Sequence, residues 1–188
     1  MQSKNDKIIQ TAIKLFAIDG VSVATAKIAK EAGISNGTLF NYFPSKQILI
    51  DEVYIQIKTE IANSVLDGVA KIETLQKFLF CLWNSYNLWA IANPIKYNVV
   101  HLLKASKAVS IEATNRTEEI FQIANQKINQ GIIDGKIINI PLDYYCDLVS
   151  GQLMAAVSYS KSQNLHGEDL DKHILRSFEI YWNGISRF

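Results

Sequence analysis

Cysteine, proline and methionine are scarce in this chain, with two, three and two among 188 residues. Two cysteines cannot build a disulfide framework. Cys81 and Cys146 both lie in apolar helical stretches, where a free thiol is expected to be buried. Charge of one sign is also lacking: the net charge is +1, so no global basicity advertises a polyanion partner. The opening MQSKNDK has no apolar signal-like core. Residues 78–95 carry no charge, but Asn84, Ser85, Asn87, Asn93 and Pro94 interrupt them, which suits a core helix rather than a membrane span. A soluble, cytoplasmic protein without a membrane partner is expected.

Chemistry-bearing motifs are equally sparse. His101, His166 and His173 stand at no metal-ligand spacing, and neither a phosphate-cradling glycine loop nor a GxSxG motif occurs. No cofactor, metal or catalytic residue is expected. His101 lies on an apolar helix and reads as a hydrogen-bonded core or pocket histidine. A Cys/His activity would need the fold to bring Cys81, His101 and Cys146 together. No internal repeat or low-complexity segment appears.

What the chain does have is helical periodicity. Nearly half of it is apolar, 48%, and the apolar residues recur at helical spacing almost throughout. The most informative stretch is Ala24–Lys46, ATAKIAKEAGISNGTLFNYFPSK. Ile28, Ala29 and Ala32 give a first short helix its apolar stripe, Gly33 can leave it with positive φ, and Ser35 can cap a second helix from Asn36. Pro44 stops that helix, and Ser45 can cap a third. At 100° per residue, Leu39, Phe40 and Phe43 share an apolar arc expected to be buried, while Gly37, Thr38, Asn41 and Tyr42 share an uncharged polar arc. Such an arc suits the donors, acceptors and methyl groups of the DNA major groove. Face pattern alone equally fits a surface helix that is polar on one side.

The residues carry a resemblance. IAKEAGISNGTLFNYFPSK resembles the DNA-binding signature of TetR-family transcriptional regulators, IAxxAGVSxGTLYxYFxSK, without a gap. Ile28, Ala29, Ala32, Gly33, Ser35, Gly37, Thr38, Leu39, Tyr42, Phe43, Ser45 and Lys46 fit it. The likeness covers roughly residues 4–50. It departs at Ala24, where a hydroxyl residue is usual and only Thr25 remains as a cap, and at Phe40, where tyrosine is usual.

The resemblance implies an all-α fold of about nine helices. A three-helix helix-turn-helix head, 1–46 with its motif at about 24–43, would be joined to a helical ligand-binding and dimerisation body, 47–188. It implies a homodimeric regulator, a repressor released from a near-palindromic double-stranded operator by an apolar or aromatic small molecule. Implied DNA contacts are Thr25, Lys27, Ser35, Asn36, Gly37, Thr38, Asn41, Tyr42 and Lys46. The charge distribution is compatible: residues 1–50 hold six lysines against three acids. The alternative is a helical small-molecule-binding or interaction protein whose head does not bind DNA.

Taken in order, helices are expected at about 5–18, 45–66, 71–92, 95–105, 110–130, 141–162 and 169–186, besides the motif pair. Gly131 and Asp134-Gly135 would close the 110–130 helix, and Ile137–Ile140 reads as a buried connector. The middle helices carry Phe78, Leu82, Trp83, Tyr86, Trp89, Tyr97, His101 and Phe121, apolar walls with polar groups among them that suit a small-molecule pocket or an ordinary aromatic core. By resemblance the last two helices pair with their copies through Leu148, Gly151, Gln152, Ala155, Ala156, Tyr159, Ile174, Phe178 and Tyr181. The same residue types would serve an internal core.

Overall fold

Serine at position 3 starts the first helix in the manner its chemistry dictates. In the computed structural model, which describes residues 3–69 and 72–187, Ser3 and Asp6 form a reciprocal capping box that opens α1, Lys4–Asp19. Gly20, at φ +78°, ends it. Next come α2 (Thr25–Glu31), α3 (Asn36–Tyr42), α4 (Lys46–Leu66), α5 (Leu75–Ala92), α6 (Pro94–Ala105), α7 (Ile111–Ile120), α8 (Gln122–Ile133), α9 (Leu142–Ser162) and α10 (Gly167–Ile185). The expected start of the fifth helix at Lys71 lies outside the described residues.

The fold is all-α, with ten helices among the described residues where about nine are expected. The extra one arises because the 110–130 helix is broken at Phe121. In α7 the hydroxyls of Thr114 and Thr117 donate back to the carbonyls of Ser110 and Thr114, a bonding mode that bends helices. Gly131 does not close the segment either. It is buried inside α8, where an added Cβ would come within 2.5 Å of Leu75 and 3.2 Å of Ile137; closure falls to Gly135 at φ +70°. Ile137–Ile140 is a connector, tied to the far end of the chain: Ile138 N donates to Ile185 O at 2.8 Å, and Arg187 N donates to Lys136 O at 3.1 Å.

Backbone proximity divides the chain into two compact units, residues 1–60 with 93–119, and residues 61–92 with 120–188. In the first, α1 packs on α2 and α6, and α2 on α3. Ile8, Phe16, Ile28, Leu39 and Phe43 are all buried there. In the second, α5, α9 and α10 pack on one another, with α8 against α5. Its core joins Phe78, Trp83, Ile137, Tyr145, Ile174, Phe178 and Tyr181. The expectation that both cysteines are buried fails: Cys81 is half-buried and Cys146 exposed, because Cys146 comes directly after core-facing Tyr145 and so turns off the packed side of α9.

Candidate nucleic-acid interface

The pair α2–α3 is held by local chemistry. Gly33 adopts φ +69°, and the α2 end closes as a Schellman motif, with Gly33 N donating to Lys30 O and Ile34 N to Ala29 O, each at 3.0 Å. Ser35 caps α3: its Oγ accepts from Thr38 N at 3.1 Å and shares a hydrogen bond with Thr38 Oγ1 at 2.9 Å. Leu39 and Phe43, 0% and 1% exposed, anchor the helix. Ser45 Oγ then accepts from Ile48 N at 3.1 Å and opens α4.

The opposite side of α3 faces outward. Asn36, Gly37 and Asn41 are exposed, Thr38 is half-buried, and Tyr42 is 42% exposed. A Cβ on Gly37 would meet only Ser35 Oγ, at 3.9 Å. Among the described residues, nothing therefore requires glycine there.

Two head residues, Thr25 and Phe40, depart from expectation, and a third, Lys27, is already paired. Thr25 does not cap α2; Ala24 holds that place, with no side-chain bond, and Thr25 is the first helical residue. Lys27 is exposed, but its Nζ pairs with Asp19 Oδ2 at 2.9 Å, so a phosphate would compete with that carboxylate. Phe40 is not buried with Leu39 and Phe43 but 38% exposed. Its wheel position carried the signal: Phe40 and Tyr42 each lie about 80° from the centre of the buried arc, on opposite sides.

A short-helix head of this build matches the family model described as bacterial regulatory proteins, tetR family, over residues 8–53. The whole fold is similar to that of a Shewanella sp. PV-4 protein assigned to the tetR family of transcription regulators. That likeness has a TM-score of 0.90 and 29% identity, and covers 100% of both chains. These matches support a TetR-family regulator.

Curated relatives match part of this chain. The uncharacterized HTH-type transcriptional regulator YuxN of Bacillus subtilis (strain 168) is 37% identical over 90 residues, 45% of this chain and 31% of its own length. The HTH-type transcriptional repressor KstR2 of Mycolicibacterium smegmatis is 38% identical over 52 residues, 27% of this chain and 25% of its own. The matches thus span about a third or less of those relatives.

Beyond the head, the chain distributes the remaining candidates unevenly. Of the aromatic set, Tyr97 and His101 stand in the first unit, with ring centroids 4.5 Å apart. Phe78, Leu82, Trp83, Tyr86, Trp89 and Phe121 stand in the second. Three of these, Phe78, Trp83 and Trp89, are buried. Trp83 stacks on Tyr181 at 4.9 Å and donates from Nε1 to Ser177 Oγ at 3.0 Å, and Phe78 is buried beneath the Lys127 ammonium, 4.5 Å from its ring centre.

Of the candidate interface, Ala156, Ile174, Phe178 and Tyr181 are buried in the chain's own core, so their side chains present nothing outward. Gly151, Gln152, Ala155 and Tyr159 are exposed and Leu148 half-buried, on one face of α9. Tyr144, Met154, Leu175 and Ile180 add exposed apolar side chains on α9 and α10. These four are absent from the sequence-based set because periodicity marks apolar residues without saying which a neighbour covers.

Among the described residues no group of three or more His, Cys, Asp or Glu could hold a metal ion. No helix there is long and apolar enough to cross a membrane.

Proposed function

We propose that this protein is a sequence-specific DNA-binding transcriptional regulator acting as a homodimer, with α3 entering the major groove. The observation that carries the reading is the outward face of α3. Gly37, Thr38, Asn41 and Tyr42 form an uncharged, hydrogen-bonding strip on a helix whose other side is anchored by fully buried Leu39 and Phe43. Base edges are read by such a face, and Gly37, which the chain's own packing does not need, would let the DNA backbone come close. Lys46 at the start of α4 flanks the strip as a phosphate anchor.

The exposed apolar face of α9 and α10 supports pairing of two copies, since large uncovered apolar patches mark association surfaces. Two heads would then read half-sites about 34–36 Å apart. Likeness of part of the chain to a named repressor supports repression. Release by an apolar or aromatic small molecule fits the uncharged aromatic side chains Tyr86, Trp89 and Phe121 of the second unit. Such a ligand acts only by binding one head spacing better than another.

The test is selection of bound sequences from random DNA by purified protein, repeated with candidate apolar ligands. A near-palindromic site lost on ligand addition is the expected result. Absence of any sequence preference would leave the alternative, a helical binding protein without DNA function.

A further inference from the structure

We propose that Phe40 reads thymine: its ring packs on the C5-methyl group of a thymine at the edge of each half-site and sets the base preference there. The proposal rests on the reading of α3 as the groove-entering helix. Phe40 and Tyr42 flank the Asn41 strip on its two sides, 38% and 42% exposed, but only Tyr42 carries a hydroxyl. A phosphate or a base acceptor needs a hydrogen-bond donor, and the Phe40 ring has none. Of the groups that base pairs show in the major groove, the thymine methyl is the apolar one, and phenylalanine is among its partners.

The surroundings leave the ring accessible. Gly37 stands three residues before Phe40, on the neighbouring position of the helix surface, and has no side chain to cover it. The part of the ring left in water costs free energy in the isolated protein, and a methyl packed against it would recover that cost. Thr38 is the competing reader, since its own methyl can also meet thymine. Its hydroxyl is engaged with Ser35 at 2.9 Å, which ties the side chain towards the start of α3.

The experiment begins with a site selected from random DNA by the wild-type protein. Each thymine is then replaced by deoxyuridine, which lacks only the methyl group, and affinity is measured for wild type, Phe40→Ala and Thr38→Ser. The expected result is one position per half-site where uracil weakens wild-type binding roughly fourfold, the worth of one buried methyl. That penalty should vanish in Phe40→Ala and persist in Thr38→Ser. A penalty that persists in Phe40→Ala, or no uracil penalty anywhere in the wild type, overturns the proposal while sequence-specific binding stands. Failure of the wild type to select any site overturns both.

Discussion

The carboxylate of Asp51 accepts a hydrogen bond from the backbone N–H of Ser110 at 2.9 Å. A residue in the second turn of α4 thereby completes the cap of α7, fifty-nine positions later in the chain. Gln47 Nε2 joins them, donating to Asp51 at 3.0 Å and to Ala108 O at 2.8 Å. Ser110 itself caps α7 through Oγ, which accepts from Ala113 N at 3.1 Å. Substituting Asp51 by Ala strips the loop before α7 of its carboxylate partner. Urea unfolding should show a loss of roughly 1–3 kcal/mol, with Asp51→Asn recovering part of it because an amide oxygen still accepts.

The α2–α3 turn depends on one backbone geometry. Gly33 sits at φ +69°, and a Cβ there would reach within 3.5 Å of Lys7 Nζ. The space is tolerable, but the left-handed conformation is not for alanine. Gly33→Ala should destabilise the protein by about 1–2 kcal/mol, measured by thermal or urea unfolding. No loss would mean the turn can reorganise.

On DNA, Asn41 and Lys46 should separate by readout. Asn41→Ala should cost about 1–3 kcal/mol on the selected site and relax specificity there. Lys46→Ala should weaken all sequences alike and lower the salt slope by about 0.9. Lys27→Ala should move that slope less, since Asp19 already holds its ammonium. Affinity titrations at several salt concentrations check all three.

The phenols of Tyr145 and Tyr181 hydrogen-bond to each other in the core. Burial is the main force raising both pKa values; for Tyr181 the neighbouring Tyr145 phenol adds to it. Both stay neutral when folded, whereas the unfolded phenols ionise near pH 10. Their stabilising contribution is therefore complete below about pH 10 and is lost as pH rises beyond it. Unfolding measured from pH 8 to 11 should show this fall, and it should be smaller in Tyr145→Phe/Tyr181→Phe. Each single variant leaves a buried phenol without its partner and should cost roughly 1–3 kcal/mol, with the pair costing less than the sum.

Gly151 distinguishes association from folding. A Cβ there meets nothing within 4 Å, so Gly151→Glu should leave the protomer at least as stable, by helix propensity alone about 0.5 kcal/mol better. A charge in the middle of the exposed α9 face should abolish pairing. Sedimentation of wild type and variant decides it; an unchanged dimer would place the interface elsewhere.

Much of the head was legible because its determinants are local. A capping serine, a glycine that leaves the helix and an apolar pair four residues apart act within one or two turns. The breaks in expectation came where a distant neighbour decides. Gly131 looks like a helix end but is a place where Leu75 and Ile137 come close. Phe40 is apolar like Leu39, yet no neighbour buries it as Leu39 is buried.

The sequence by itself determined that the protein is helical, where most helices begin and end, and that α3 has one apolar and one uncharged polar side. Those properties arise from periodicity and capping, which depend on adjacent residues. Tertiary structure decided which apolar side chains are spent inside and which remain outside. Ile174, Phe178 and Tyr181 went to the core, while Phe40, Tyr159 and Ile180 stayed exposed. Amphipathic spacing names a helix's apolar face, but only the arrival of another helix sets how much of that face is covered.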